Sequence, residues 1–162
     1  MNELLSKLSS YNLFNYLFPG IIFAFLADEV TDYSFIQQNI VIGLFLYYFV
    51  GLVVSRFGSL VIEPVLRRFS FLKFAETKDF IAASKKDEKL ELLSEVNNTY
   101  RTLCSLFFLL SLLRLYEFIE GIIPALKGLR TIMLIVSLFV VFLFSYRKQT
   151  SYIVKRIKAD GS

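Results

Sequence analysis

Apolar residues in this chain run in long blocks, without the alternation of a half-buried strand or the spaced stripe of a soluble helix. The first block is Leu13 to Ala27, with Pro19-Gly20 at its middle. The second is Phe35 to Val54, interrupted by Gln37, Gln38 and Asn39 near its start. The third, Thr102 to Ile119, contains Arg114 and Glu117; the fourth, Thr131 to Tyr146, carries no charge. A hydrocarbon core of roughly 30 Å takes about 20 helical residues, with a range of about 17–25. The second block meets that alone, and the others meet it with their flanking Tyr, Ser and Asn residues or by local thinning. The pattern predicts an all-α chain, a four-helix transmembrane bundle with helices 2 and 3 extended into the cytoplasm. Its expected parts are spans at about 13–30, 35–56, 101–120 and 129–147, a helical projection at about 57–100 and a basic tail at 147–162.

Between the second and third spans the helical pattern does not stop. Glu63 and Arg67 stand at i,i+4 in SRFGSLVIEPVLRRF, and Pro64 should kink that helix. Ser84 and Asp87 fit a capping box, and Leu90, Leu93, Val96 and Tyr100 then lead at helical spacing into the third span, which Gly121 can end. The stretch between them, with Phe71, Phe74, Phe80 and Ile81, should fold back on this pair as a short helix or turn. Met1 to Tyr11 reads as an amphipathic lead-in with Leu4, Leu5 and Leu8 on one face, and the Pro19-interrupted block behind it is a poor cleaved signal.

Charge gives the orientation. The loop after the first span has three acids, Asp28, Glu29 and Asp32, and no base. Nine bases lie between Ser55 and Arg101 and five more after Tyr146; with Lys7, 15 of the 18 fall on one side. The positive-inside rule places both termini and the middle segment in the cytoplasm, which requires an even number of spans. The sequence pI of about 9.2 is thus a property of membrane orientation and does not call for a nucleic-acid surface, so nucleic acid enters indirectly if at all.

Composition removes most catalytic chemistry. The chain is 56% hydrophobic, with 18 Phe, no His and a single cysteine, Cys104. His-based acid–base pairs, His metal sites, intrachain disulfides and thiolate clusters are all excluded. No paired intramembrane carboxylates or nucleotide-binding motif occur, so no enzyme activity, cofactor or metal is expected.

Four constellations remain. Gly51, Ser55 and Ser59 form a small-residue stripe suited to close helix packing, within one chain or between copies. Arg56, Glu63, Glu95, Asn97, Asn98 and Arg101 lie at matching depth on helices 2 and 3 and predict a polar boundary layer, with Arg56 or Arg101 pairing Glu63 or Glu95. Arg114 lies about 20 Å along the helix from Arg101, inside the hydrocarbon; Glu117 can pair with it, or the two charges can line a pore. Lys85, Lys86 and Lys89, interleaved with Asp87, Glu88 and Glu91, make a solvated helix face that a soluble partner can dock on. Asn97-Asn98-Thr99 has the form of a glycosylation acceptor, discounted because it falls on the cytoplasmic side.

Three segments carry a resemblance: NLFNYLFPGIIF (Asn12 to Phe23), SRFGSLVIEP (Ser55 to Pro64) and LLSEVNNTYRT (Leu92 to Thr102). They look like small bacterial four-span proteins of antiphage-defence type, and size and layout resemble the membrane subunit of the Kiwa system. The resemblance implies a multi-pass subunit of the bacterial inner membrane that oligomerises, perceives attack at the envelope and docks a soluble DNA-binding partner. The functional expectation is a non-enzymatic, homo-oligomeric anchor or sensor in contact with membrane lipid; the alternative is a small channel or pore-forming effector.

Overall fold

The computed structural model describes residues 12–87 and 89–160, the last two by their backbone alone. The lead-in expected at Met1 to Tyr11 lies outside the described residues. All regular structure among those described is helical. A π-turn π1 (Leu13–Leu17) passes into α1 (Phe18–Val30); α2 (Ile40–Phe57) passes through a second π-turn, π2 (Gly58–Ile62), into α3 (Glu63–Arg68). A short α4 (Thr77–Ser84) precedes two long helices, α5 (Lys89–Ile122) and α6 (Leu126–Asp160). Four helical stretches are long and apolar enough to cross a membrane: Leu13–Val30, Ile40–Arg68, Lys89–Ile122 and Leu126–Lys158.

Each π-turn ends immediately before an X-Pro step. Pro19 and Pro64 have no N–H to give to the carbonyls of Asn15 and Leu60, and their rings would collide with those carbonyls in a regular helix. Widening the preceding turn relieves the collision. Phe18 N–H donates to Leu13 O and Glu63 N–H to Gly58 O, each five residues back. The helix therefore survives both prolines, and Pro64 acts through a π-turn ahead of it. π-turns of this kind tend to mark functional sites, and both contribute side chains to the polar clusters described below.

Helix boundaries differ from expectation at several places. The second span begins at Ile40 and not near residue 35, because Asn39 Oδ1 accepts from Val41 N–H and Ile42 N–H and caps the helix there. Ser84 closes α4, its hydroxyl donating to Ile81 O, so the expected capping box does not form. Asp87 supplies the cap for α5 alone, accepting from Lys89 N–H at 3.0 Å. Gly121 stays inside α5, which runs one residue beyond it. The basic tail is not a separate segment: α6 continues as one helix of 35 residues, about 52 Å.

The hydrophobic core is shared by the first three of these four stretches. Phe23 and Ala27 of α1, Val54 of α2, and Leu106 and Leu110 of α5 form its buried centre. Close backbone approach makes this packing work at two glycines. A Cβ on Gly20 would lie 1.8 Å from Tyr47 O, and one on Gly51 would lie 1.7 Å from Tyr16 O. Glycine at both positions lets α1, π1 and α2 meet backbone to backbone. The fourth helix stands to one side, touching α2 through stacked Phe49 and Phe142 rings 5.9 Å apart. Only 6% of the apolar window of α6 is buried, against 39% for the first span.

Candidate functional site

Moving along the bundle from the core, the polar residues fall into three clusters. The innermost is uncharged. Asn15 of π1 and Thr102 of α5 are fully buried and Ser55 of α2 nearly so. Asn15 Nδ2 donates to Ser55 Oγ at 3.1 Å, and Thr102 Oγ1 lies 2.8 Å from Asn15 Oδ1 and 3.3 Å from Ser55 Oγ. The threonine hydroxyl also reaches Asn98 O at 2.8 Å. Three helical elements are thereby tied at one level, where an unpaired amide would be costly.

The second cluster is charged and sits one to two turns toward the basic end. π2 presses against α5, where a Cβ on Gly58 would meet Ser105 Oγ at 2.3 Å. That closeness brings buried Glu63 to Arg101: Nη1 donates to Glu63 Oε2 at 2.8 Å. From α6, Lys148 Nζ donates to Ser59 O at 2.6 Å and to Ser59 Oγ at 2.7 Å, and stands 3.7 Å from Glu63 Oε1. One carboxylate thus faces two cations from two other helices. Arg101 Nε is buried and finds no acceptor among the described residues.

Around this pair opens a cleft of 1820 Å³ bounded by α2, α3, α4, α5 and α6. Nine Lys or Arg residues line it, among them Arg56, Arg67, Arg147 and Lys155, against two carboxylates, Glu63 and Glu76. Arg67 also covers the Phe74 ring at 5.3 Å, which folds the segment before α4 over the mouth.

The third cluster is at the opposite end. Glu120, 3% exposed, takes a two-pronged contact from Arg130, Nη2 to Oε2 at 2.6 Å and Nε to Oε1 at 3.1 Å. Tyr33 OH donates to Glu120 Oε2 at 2.8 Å while the Arg130 guanidinium lies over the Tyr33 ring at 4.6 Å. Burial of the phenol and its bond to the carboxylate push the Tyr33 pKa up to about 12, so it stays a donor at any physiological pH. Arg114 pairs with Glu117 one turn on, and Glu117 Oε1 also accepts from Asp32 N–H at 2.6 Å.

The expected site residues are therefore distributed as follows. Of the boundary layer, Glu63 and Arg101 form the pair. Arg56, Asn97 and Asn98 line the cleft without an ion pair. Glu95 stands apart with its carboxylate in no ion pair among the described residues, its main-chain O accepting from Thr99 Oγ1 at 3.1 Å. Gly51, Ser55 and Ser59 are all buried within one chain, against Tyr16, the Asn15–Thr102 pair and Lys148 respectively, which leaves the stripe no face for a second copy. Lys85, Lys86 and Lys89 are exposed at the turn into α5. Pro19 is fully buried and Gly20 packs against the Tyr47 backbone.

Sequence reasoning did not single out Asn15, Thr102, Lys148, Tyr33, Glu120 or Arg130. For Asn15 a signal existed: an amide inside an apolar block has to find a buried partner. Charge pattern assigns Lys148 only to a basic tail, and nothing in spacing says that α6 turns it onto Ser59. Among the described residues no group of three or more Cys, Asp or Glu side chains could hold a metal ion. No family model, curated protein or solved structure matches the chain.

Proposed function

We propose that this chain is a non-enzymatic anchor or sensor of the bacterial inner membrane whose basic end faces the cytoplasm and docks a soluble protein. The observation that carries the reading is the second cluster. Glu63, Arg101 and Lys148 join α3, α5 and α6 at the level where the apolar segments give way to bases. Helix α5 alone is about 51 Å long, well beyond a hydrocarbon core of roughly 30 Å. Its surplus, with α3, α4 and the end of α6, forms a rigid basic projection instead of a flexible tail. A stimulus that shifts one of these helices would move the others through the ion-paired joint.

Homo-oligomerisation is part of the proposal. It draws on the fourth helix, whose exposed Ile132, Ile135 and Phe139 are free of the shared core and available to lipid or to another copy. A role in antiphage defence rests on the resemblance of the three segments alone.

The channel reading has less support. Arg114 and Glu117 pair with each other beside the Asp32 loop, and the Asn15–Ser55–Thr102 level is closed by packed side chains. Charge reversal at Lys85, Lys86 and Lys89 should abolish capture of the soluble partner in pull-downs from the native host and leave liposome ion flux at its background level. Robust wild-type flux that changes with Arg114→Leu would favour the pore and overturn the anchor.

A further inference from the structure

We infer that the cleft around Glu63, Arg101 and Lys148 holds the phosphate headgroup of an anionic phospholipid, with an acyl chain laid along α6. The inference rests on the membrane reading and is independent of the soluble partner.

Charge comes first. With nine cationic side chains and two carboxylates around one cleft, the site repels cations and attracts anions at any pH near neutrality. Glu63 cannot neutralise its surroundings, because both Arg101 and Lys148 already share it. Arg101 leaves one buried donor, Nε, without an acceptor among the described residues. Guanidinium groups suit phosphate oxygens in particular, and Arg56 and Arg147 line the same space in no ion pair among the described residues.

Position decides which anion. The uncharged run of the fourth span ends at Tyr146, and Arg147 and Lys148 follow at once. This is the depth at which lipid headgroups lie, and basic pockets between helices on the cytoplasmic side recognise anionic headgroups. Phe144 lines the cleft and Leu143 precedes it on α6, both exposed and both on the hydrocarbon side of Arg147. A cationic head site bordered on its hydrocarbon side by exposed Phe144 and Leu143 matches an amphiphile, and a free phosphate would leave that apolar surface unused. The choline of a zwitterionic lipid would bring a cation into a cleft that already has too many.

Thermal unfolding of the full-length protein in a neutral detergent tests this with three probes: dioctanoyl phosphatidylglycerol, dioctanoyl phosphatidylcholine and inorganic phosphate. Phosphatidylglycerol should raise Tm in a saturable way, as a ligand of the folded state does, while the other two leave it unchanged at equal concentration. Arg56→Gln with Arg147→Gln should weaken that response by about tenfold or more, and Lys85→Gln with Lys86→Gln should not alter it. Arg147→Gln alone, at an exposed position, gives the same comparison if the double variant folds poorly. An equal response to phosphatidylcholine, an equal response to inorganic phosphate, or a phosphatidylglycerol response untouched by the arginine variants would each overturn the assignment. The membrane reading fails by a different sign, recovery of the chain in the soluble fraction without detergent.

Discussion

Gly51→Ala should destabilise the protein by at least about 3 kcal/mol, at or beyond the upper end of ordinary overpacking. The reason is geometric. A methyl group at this position would lie 1.7 Å from Tyr16 O and 2.6 Å from Tyr16 C, which are backbone atoms with no rotamer to change. Relief requires π1 to move away from α2 as a unit. That movement would also pull Asn15 from Ser55 and Thr102 and leave a buried amide without its partners. Denaturation of the purified protein in mixed micelles by sodium dodecyl sulfate would show the loss as a shifted midpoint. Gly121→Ala is the control. Nothing lies within 4 Å of its Cβ and its φ is negative, so replacing a helical glycine there should be neutral or stabilising by up to about 1 kcal/mol. Equal losses for the two substitutions would mean that the close approach of π1 and α2 is not what holds the core.

The second large effect is at Glu63. Glu63→Gln keeps the side-chain volume and removes the charge, leaving Arg101 and Lys148 facing each other across an amide. Breaking one side of a buried ion pair costs roughly 3–5 kcal/mol. Here the side chains of Arg101 and Lys148 keep 20% and 25% of their exposure, so solvent recovers part of it and about 2–3 kcal/mol is expected. The losses should be strongly non-additive. Lys148→Met added to Glu63→Gln should restore stability relative to Glu63→Gln alone, because the cation with no carboxylate is then gone. Additive losses across that cycle in the same micelle assay would show that Lys148 and Glu63 do not act as one joint. Failure of Lys148→Met to change stability in the wild-type background would say the same of its bonds to Ser59.

Much of this architecture is legible in the residues, and the parts that are not have identifiable physical causes. Block length and Lys/Arg asymmetry indicate four spans because hydrocarbon thickness imposes a length on any crossing helix. Arg101 and Glu63 can be matched by depth along their helices, and Arg114 with Glu117 by the three-residue spacing that puts them on one face. The start of the second span is placed too early because Phe35 and Ile36 extend the apolar block, whereas Gln37, Gln38 and Asn39 interrupt it and Asn39 caps the helix. Continuation of α6 through Arg147 and Lys148 is not legible from charge density, because charges end the apolar part of a membrane helix without ending the helix. The joint between Lys148 and Ser59 and the link from Glu120 to Tyr33 join elements 89 and 87 residues apart. Helical periodicity reports which residues share a face and carries no information on which face meets which helix. The small-residue stripe shows the same limit: its spacing is visible, but only tertiary structure shows that Tyr16, Asn15 and Lys148 of the same chain fill it.

Everything proposed for the basic cleft and its partner depends on that end of the molecule lying in the cytoplasm. The most direct measurement is a topology map with paired reporters, one active only in the cytoplasm and one only in the periplasm. They would be fused after Ser162, inserted near Lys86 and inserted near Asp32. The account predicts cytoplasmic signals at Ser162 and Lys86 and a periplasmic signal at Asp32, the loop held by Glu117 at the other end of the bundle. A cytoplasmic signal at Asp32, or a periplasmic one at Lys86, would contradict it.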